Sequence, residues 1–305
     1  MAFPGRGTQP TGKPSRRLLM PYPITGPATW FVTGTSRGLG LELVKQLLQR
    51  GDNVVATTRS TERLTAALGP VDTSRLLALQ VNLTDEKSVV TVVQAAGDRF
   101  GPVDVVINNA GYGLLGAVEE VSDTEARELF DVQIFGAWNV LRAVLPGMRA
   151  RRSGHIINIS SILGLTAFPG WGAYCAAKYA LEGLTGSLAG EVADFGIKVN
   201  LIEPGYMRTD FLRTTSLRLP AQVADGYDGV REMTDAHLAI PGTQLGDPAK
   251  AASAIITIAQ SGNAPLHQIL GSDSYALAKS RIETLTENIE AGQHLAATTD
   301  IPANA

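Results

Sequence analysis

The stretch TWFVTGTSRGLGLELVKQLLQR, residues 29–50, decides which fold the sequence predicts. An apolar run (Thr29–Thr33) leads into a glycine-rich turn, TGTSRGLG, and then into a segment whose apolar residues have helical spacing. Glycines let the backbone turn sharply and approach a ligand, and the following helix N-terminus offers unpaired N–H groups to a pyrophosphate. The spacing Gly34, Gly38, Gly40 departs from the common G-x-G-x-x-G pattern, so tight packing is the alternative explanation of the turn.

The same alternation of apolar strands and helical segments continues along the chain. Candidate strands are Thr29–Thr33, Asn53–Thr57, Leu76–Gln80, Val103–Ile107, His155–Ile159, Ile197–Ile202 and Leu266–Leu270, and candidate helices are Gly38–Arg50, Asp85–Phe100, Thr124–Arg151, Ala173–Asp194 and Pro248–Gln260. Strands that are apolar throughout, joined by helix-length connections, indicate a parallel sheet covered on both faces. We therefore predict an α/β fold: one domain over residues 27–305 with a doubly wound, Rossmann-like parallel sheet, whose strand ends place any ligand along one edge.

The composition excludes several classes of function. The chain has 305 residues, a net charge of −3 and no long apolar run, which gives no electrostatic reason to expect nucleic acid and no reason to expect a membrane span. A single cysteine, Cys175, excludes an internal disulfide and fits a reducing compartment, so we expect a cytoplasmic protein. The four histidines show no ligand spacing with that cysteine, and we predict no metal site.

Residues 1–26 differ in composition from the rest of the chain. They are basic and rich in proline, and no acidic residue precedes Glu42. We predict a disordered N-terminal tail, which could be a targeting segment, a cloning artefact or a leader before a start at Met20.

A second stretch, Ser153–Leu181, carries the candidate chemistry. It holds a β-branched run, then Ser161, a Gly/Pro-rich turn, and a helical segment with Tyr174 and Lys178 four residues apart. That spacing puts both side chains on one helix face, where an ammonium near the phenol would lower its pKa from about 10. Such a phenol could act as a general acid near neutral pH, and Ser161 could hydrogen-bond the same substrate oxygen.

The alternative is an ordinary surface Tyr–Lys pair. Tyr275 and Lys279 repeat the spacing without a serine-bearing strand before them, and we interpret that second pair as structural.

The end of the second strand points to the kind of dinucleotide. A protein that binds NAD would offer a carboxylate to the ribose hydroxyls there, whereas this chain has Arg59 after Ala56–Thr58. Arg59 and Arg37 together would suit a 2′-phosphate, which favours NADP over NAD. Either arginine alone could be a solvated surface charge.

Taken together, these motifs resemble the short-chain dehydrogenase/reductase family of about 250 residues. TGxxxGxG lies at Thr33–Gly40, NNAG at Asn108–Gly111, the serine-bearing strand end at Ser161, YxxxK at Tyr174–Lys178 and a PG turn at Pro204–Gly205. The likeness covers about Thr29 to Ala259, in one order and with the family's spacings. GYGLLGAVEE and YCAAKYALEGL are similar to the hydroxysteroid and retinol dehydrogenase branch, which implies a bulky apolar ketone or alcohol.

The resemblance implies a role for each motif. Tyr174 would protonate the substrate oxygen during reduction, Ser161 would hold that oxygen, and Lys178 would bind the nicotinamide ribose and lower the pKa of Tyr174. The residues that it places around NADP(H) are Gly34, Ser36, Arg37, Gly38, Leu39, Gly40, Arg59, Asn82, Leu83, Asn109, Tyr174, Lys178 and Thr209. Of the two asparagines Asn108 and Asn109, we expect one to contact the cofactor and the other to tie the fourth strand to its neighbours.

Two positions depart from the family's pattern. Asn82 stands where similar proteins carry an aspartate near the adenine amine, and an amide oxygen can still accept that hydrogen bond. Gln133 stands where they carry an asparagine that supports a water-linked proton path to the lysine, so we count it as a catalytic candidate. The alternatives are a non-catalytic protein that binds or senses NADP(H), which Gln133 alone supports, and a sugar-nucleotide epimerase, whose chains are longer.

The substrate region is outlined only in part. Aromatic and apolar residues near the predicted strand ends could form a cleft or belong to the core: Tyr112, Leu114, Leu115, Phe168, Trp171, Tyr206, Met207 and Phe211. Residues 205–246 are poorly periodic, and we expect a lid over the substrate, with a passive surface insertion as the alternative. Residues 272–295 predict one more helix. The family resemblance implies a homodimer or homotetramer paired through Thr124–Arg151 and Ala173–Asp194.

Overall fold

A computed structural model describes residues 27–301 of the chain. The predicted N-terminal tail, residues 1–26, lies outside the described residues. The strands are β1 (Thr29–Thr33), β2 (Asn53–Thr58), β3 (Leu76–Gln80), β4 (Val105–Asn108), β5 (Gly113–Leu114), β6 (Gly154–Ile159), β7 (Ile197–Pro204), β8 (Leu217–Arg218) and β9 (His267–Leu270). The helices are α1 (Gly38–Gln49), α2 (Thr61–Leu68), α3 (Glu86–Phe100), α4 (Asp123–Phe130), α5 (Gly136–Arg151), α6 (Gly172–Val192), α7 (Asp228–Ala239), α8 (Pro248–Ser261), α9 (Ser272–Ala291) and α10 (Gln293–Ala297).

Seven strands form one parallel sheet in the order β3-β2-β1-β4-β6-β7-β9. Strand order reverses direction between β1 and β4, because the chain first builds outward through β2 and β3 and then returns to the other side of β1. A reversal of this kind opens a crevice at the carboxyl ends of the strands, and ligands bind there in doubly wound sheets. The predicted α/β fold with a doubly wound, Rossmann-like sheet is confirmed.

Helices cover both faces of the sheet. On one face, α1 and α8 bury a cluster that includes Leu43, Leu47 and Ile255, all fully buried. On the other face, α3, α5 and α6 bury a second cluster that includes Val140 and Leu188. Apolar strands between two helical layers are what the continuous hydrophobic runs of the sequence predict.

The buried side chains of α1 allow a prediction about the stability of the fold. We expect Leu47→Ala to lower the free energy of unfolding by about 2–5 kcal/mol, because the side chain is fully buried and its loss leaves a cavity. Urea unfolding measures the change, with Lys45→Ala on the partly exposed face of the same helix as the control. The control should stay within about 0.5 kcal/mol of the parent protein, and an equal loss in both variants would contradict this description of the core.

The predicted helix Thr124–Arg151 is not continuous. Residues Asp131–Phe135, between α4 and α5, form a π-helical stretch, in which each turn holds more residues than in an α-helix. Such stretches occur frequently at functional sites, and this one carries Gln133.

The predicted helix over residues 272–295 is two helices, α9 and α10, and other features of the structure were not predicted from the sequence pattern. The short helix α2 follows β2, the two-residue strands β5 and β8 pair in parallel, and α7 lies within residues 205–246. Residues 205–246, which contain α7, contact the segment after β4. Glu120 forms an ion pair with Arg231 and accepts a hydrogen bond from the Ala224 amide. In the part of the chain that the structure describes, no helix combines the length and apolarity that crossing a bilayer requires.

Candidate active site

The glycine-rich turn lies at the crevice between β1 and β4. Gly34 and Gly38 have φ values of +70° and +55°, and a Cβ on Gly34 would lie 2.7 Å from the Ala110 Cα. A Cβ on Gly40 would overlap the Gly34 carbonyl oxygen. Asn109 fixes the turn, because its Nδ2 donates to the carbonyl oxygens of Thr33 (2.9 Å) and Gly34 (3.0 Å). The turn therefore needs glycine for both its dihedral angles and its close contacts.

A group of arginines lies beside this turn. Burial and the nearby charges of Arg59 and Arg63 lower the pKa of Arg37, and Asp210 alone opposes them. The Arg37 guanidinium donates to the Thr215 carbonyl oxygen at 2.6 Å. Arg63, in the first turn of α2, was not predicted. Like charges held together repel one another, so this group favours an anionic ligand.

The remaining predicted cofactor residues lie along the same cavity, which Ser36, Leu39, Asn82, Leu83 and Thr209 all line. The expected role of Asn82 differs in one respect. Its Oδ1 accepts hydrogen bonds from the amide (3.2 Å) and hydroxyl (2.9 Å) of Thr84, so the oxygen already has local partners in this turn.

The predicted catalytic residues come together at the end of β6 and the start of α6. The Ser161 Oγ accepts from the Leu163 amide at 3.1 Å, which leaves its own proton free to donate. Lys178 Nζ donates to the Ile159 carbonyl oxygen at 2.9 Å and lies 5.5 Å from the centroid of the Tyr174 ring. Tyr174 and Lys178 are each 5 % exposed, so the pair is buried beside Ser161 and is no surface pair.

The net pKa of Tyr174 in this structure is raised and not lowered as the Tyr–Lys spacing predicts, because desolvation of the buried phenol has the largest effect. Burial raises the pKa of Tyr174 well above its ordinary value, and the hydrogen bond with Ser161 offsets this only in part. The rings of Trp171 and Phe211 pack edge-on against the phenol at 5.5 and 5.8 Å between centroids. Burial also lowers the pKa of Lys178 to about 8. The phenol is therefore protonated at neutral pH.

Glu182, one helical turn after Lys178, was missed although its spacing of four residues could have indicated it. Burial raises the pKa of Glu182 to about 7, and its negative charge raises that of Lys178. His267 Nδ1 lies 2.7 Å from Glu203 Oε1 and 3.6 Å from Glu182 Oε2. One ligand atom from each of these three residues falls within 4.8 Å of the others, a separation that a cation could bridge, and the expected absence of a metal site stays a prediction.

Gln133 and Asn108 lie close to Lys178, and Asn109 lies at the glycine turn. Asn108 Nδ2 donates to Asn158 Oδ1 at 2.9 Å and so ties β4 to β6, whereas Asn109 holds the glycine turn and lines the cavity. Gln133 Nε2 donates to the Tyr112 carbonyl oxygen at 2.8 Å. A void of about 10 Å³ is lined by Asn108, Gln133 and Lys178, which is close to the smallest space that holds one water.

One cavity of about 750 Å³ is lined by the glycine turn, by Arg37 and Arg59, and by Ser161, Tyr174 and Lys178. Of the predicted substrate residues, Tyr112, Phe168, Trp171, Tyr206, Met207 and Phe211 line it. Leu114 and Leu115 do not line it, and both are buried in an apolar cluster. His237 of α7 lines the cavity and was not predicted.

Comparison with known proteins identifies the family. Residues 28–219 match the family model for short chain dehydrogenases. Human retinol dehydrogenase 8 is 41% identical over 191 residues, which cover 61% of this chain and 60% of that protein. The crystal structure of a short-chain dehydrogenase from Streptomyces avermitilis is 35% identical, with a TM-score of 0.84 over 90% of this chain and 99% of that chain. The structure of ElxO with NADP bound is 28% identical, with a TM-score of 0.67 over 80% of this chain and 96% of that chain.

The doubly wound parallel sheet agrees with these matches. The chain belongs to the short-chain dehydrogenase family of oxidoreductases.

Proposed function

We propose that this protein is an NADP(H)-dependent oxidoreductase that reduces an apolar ketone to a secondary alcohol, with Tyr174 as general acid. The observation that carries the proposal is that a single cavity is lined by the glycine turn and by Ser161, Tyr174 and Lys178. A dinucleotide that binds to the turn and a substrate carbonyl in front of the Tyr174 phenol would therefore occupy one shared cavity.

The residues present fit this cofactor. The glycine turn has no room for side chains at Gly34 and Gly40. A pyrophosphate can therefore approach its backbone and the N-terminus of α1. Arg37, Arg59 and Arg63 supply positive charge where a 2′-phosphate would lie, and ElxO, a relative with a similar fold, binds NADP. When bound, the cofactor supplies the hydride that the carbonyl carbon receives.

The residues of this chain then act on the carbonyl oxygen. The Ser161 hydroxyl donates a hydrogen bond to it and holds it near Tyr174. As the carbon–hydrogen bond forms, the Tyr174 Oη gives its proton to the oxygen, which becomes the alcohol hydroxyl. The phenolate that remains is stabilised by the ammonium of Lys178. A phenol that burial keeps protonated at neutral pH suits the direction of reduction.

A proton must then return to the phenolate from solvent. The void lined by Gln133 and Lys178 has room for one water, and two buried oxygens near it, Gln133 Oε1 and Asn108 Oδ1, have no hydrogen-bond partner within residues 27–301. A water there would connect Lys178 to the π-helical stretch. Gln133 therefore supports a proton path in place of the asparagine of similar proteins.

The pKa of Lys178 predicts how turnover depends on pH. Because the ammonium form stabilises the phenolate, we expect kcat to be high below pH 8 and to fall as Lys178 loses its proton above about pH 8. Glu182→Gln removes a charge that raises the Lys178 pKa, so the fall should move to lower pH. The pH profile of kcat measures this, with the exposed Glu191→Gln on the same helix as the control. A fall at the same pH in all three proteins would contradict the coupling.

The assembly is a second part of the proposal. Phe135 is 52% exposed and Trp138 43% exposed on the outer side of the α4–α5 segment, and Tyr179 is 39% exposed on α6. We infer that a second copy of the chain covers these side chains, as the family resemblance implies. Light scattering of Trp138→Lys compared with the parent protein tests this, since the variant should shift toward the monomer.

An assay of NADPH oxidation tests the reaction itself. Steroid, retinoid, aliphatic and polyketide-like ketones should be offered to the protein, and at least one class should be reduced. Binding of NADPH without oxidation across the whole panel would favour a non-catalytic protein that senses the cofactor.

A further inference from the structure

A tyrosine–histidine pair lies in the wall of the cavity. Tyr206 follows the PG turn after β7, and His237 lies near the end of α7. The Tyr206 Oη lies 2.8 Å from His237 Nε2, and both residues line the cavity. His237 is 5% exposed, whereas Tyr206 is 38% exposed.

The hydrogen bonds of His237 fix which atom donates. His237 Nδ1 lies 2.7 Å from the Met233 carbonyl oxygen, which can only accept, so Nδ1 carries the proton in the neutral ring. Nε2 is then an acceptor, and the Tyr206 hydroxyl donates to it. With its only proton engaged, the Tyr206 oxygen offers lone pairs alone to the cavity.

Trp171 separates this pair from the catalytic phenol. Its ring packs edge-on against Tyr174 at 5.5 Å and against His237 at 5.2 Å between centroids. Trp171 therefore contacts both the phenol of Tyr174 and the histidine that orients the Tyr206 oxygen.

We propose that Tyr206, held by His237, binds a hydrogen-bond donor on the substrate at a position remote from the reacting carbon. The inference rests on the proposed function and narrows it, since the substrate class becomes an apolar ketone that carries a hydroxyl group at its far end. An ether or a second ketone at that position can only accept a hydrogen bond, and so can the Tyr206 oxygen. Substrates that carry such a group there should therefore bind more weakly.

Three matched ketones test the donor requirement: 4-hydroxybenzylacetone, its methyl ether 4-methoxybenzylacetone, and benzylacetone. They share the same carbonyl and differ in whether the far end donates, only accepts, or is apolar. The dissociation constant of each from the NADP⁺-saturated protein is measured by calorimetry, and kcat/KM by NADPH oxidation. We expect the hydroxyl compound to bind about three- to tenfold tighter than the ether, the range that one net hydrogen bond contributes.

Two substitutions separate this subsite from a merely structural contact. Tyr206→Phe should abolish the preference for the hydroxyl compound over the ether, so that the two bind with equal dissociation constants. His237→Leu releases the Tyr206 proton to the cavity, so the ether should then bind as well as the hydroxyl compound. Tyr227→Phe is the control, because Tyr227 also lies within residues 205–246 but donates its hydrogen bond to Glu119 at the surface. This variant should prefer the hydroxyl compound over the ether as strongly as the parent protein does.

The outcomes also separate this inference from the proposed function. Equal affinity for the hydroxyl compound and the ether in the parent protein, or no binding of any of the three ketones, would overturn the subsite. A preference that survives both Tyr206→Phe and His237→Leu would do the same. A clear preference in binding without oxidation of NADPH would keep the subsite and overturn the proposed reaction.

Discussion

Tyr174→Phe is expected to lower kcat for ketone reduction by about a thousandfold, the middle of the range for loss of a general acid. The substitution removes one oxygen and keeps the ring that packs against Trp171 and Phe211. The fold and the binding of NADPH should therefore persist, because neither the glycine turn nor the arginines are changed. Stopped assays measure kcat, and the fluorescence of bound NADPH measures the dissociation constant.

Tyr275 provides a matched control for this experiment. It precedes Lys279 by four residues, as Tyr174 precedes Lys178, but it is 63% exposed on α9 and does not line the cavity. Tyr275→Phe should leave kcat unchanged. If the two variants lost activity equally, or if Tyr174→Phe kept the parent rate, the phenol of Tyr174 could not be the acid.

Arg59→Asp is expected to reverse the preference for the cofactor. An aspartate at the end of β2 would repel a 2′-phosphate and accept hydrogen bonds from ribose hydroxyls, as in proteins that bind NAD. Loss of one charge-assisted contact together with the new repulsion should weaken NADPH binding by about a hundredfold and strengthen that of NADH. Dissociation constants of both cofactors, measured on the same protein, give the ratio directly.

Arg75→Asp serves as the control for charge. Arg75 is exposed just before β3 and donates a hydrogen bond to Asn53 at the start of β2. Arg59 follows the other end of β2. Its substitution should leave the ratio of NADPH to NADH affinity as it is in the parent. If Arg59→Asp bound the two cofactors in the parent ratio, the arginines would not recognise the 2′-phosphate.

The sequence predicts much of this architecture because the relevant patterns are local. Each central strand is an apolar run that ends at glycine, asparagine or serine, and most of the predicted bounds lie within two residues of the observed ones. The spacing of four between Tyr174 and Lys178 places both on one helix face whatever the rest of the chain does.

Properties that depend on distant packing were not predictable in the same way. The pKa of Tyr174 is set by burial beneath Trp171 and Phe211, and Phe211 comes from a segment after β7. The helix α7 is anchored by Arg231 to Glu120, more than a hundred residues earlier, and no local periodicity shows that pairing. His237, which α7 carries, was missed for the same reason.

The most direct measurement follows the hydride. The protein is incubated with NADPH that carries deuterium at the transferable position and with a ketone that it reduces, and the alcohol is analysed by mass spectrometry. We predict one deuterium on the carbinol carbon in the parent protein and about a thousandfold less labelled alcohol with Tyr174→Phe. An alcohol without deuterium, or a label transferred equally well by Tyr174→Phe, would contradict the assignment of this cavity as the site of hydride transfer with Tyr174 as its acid.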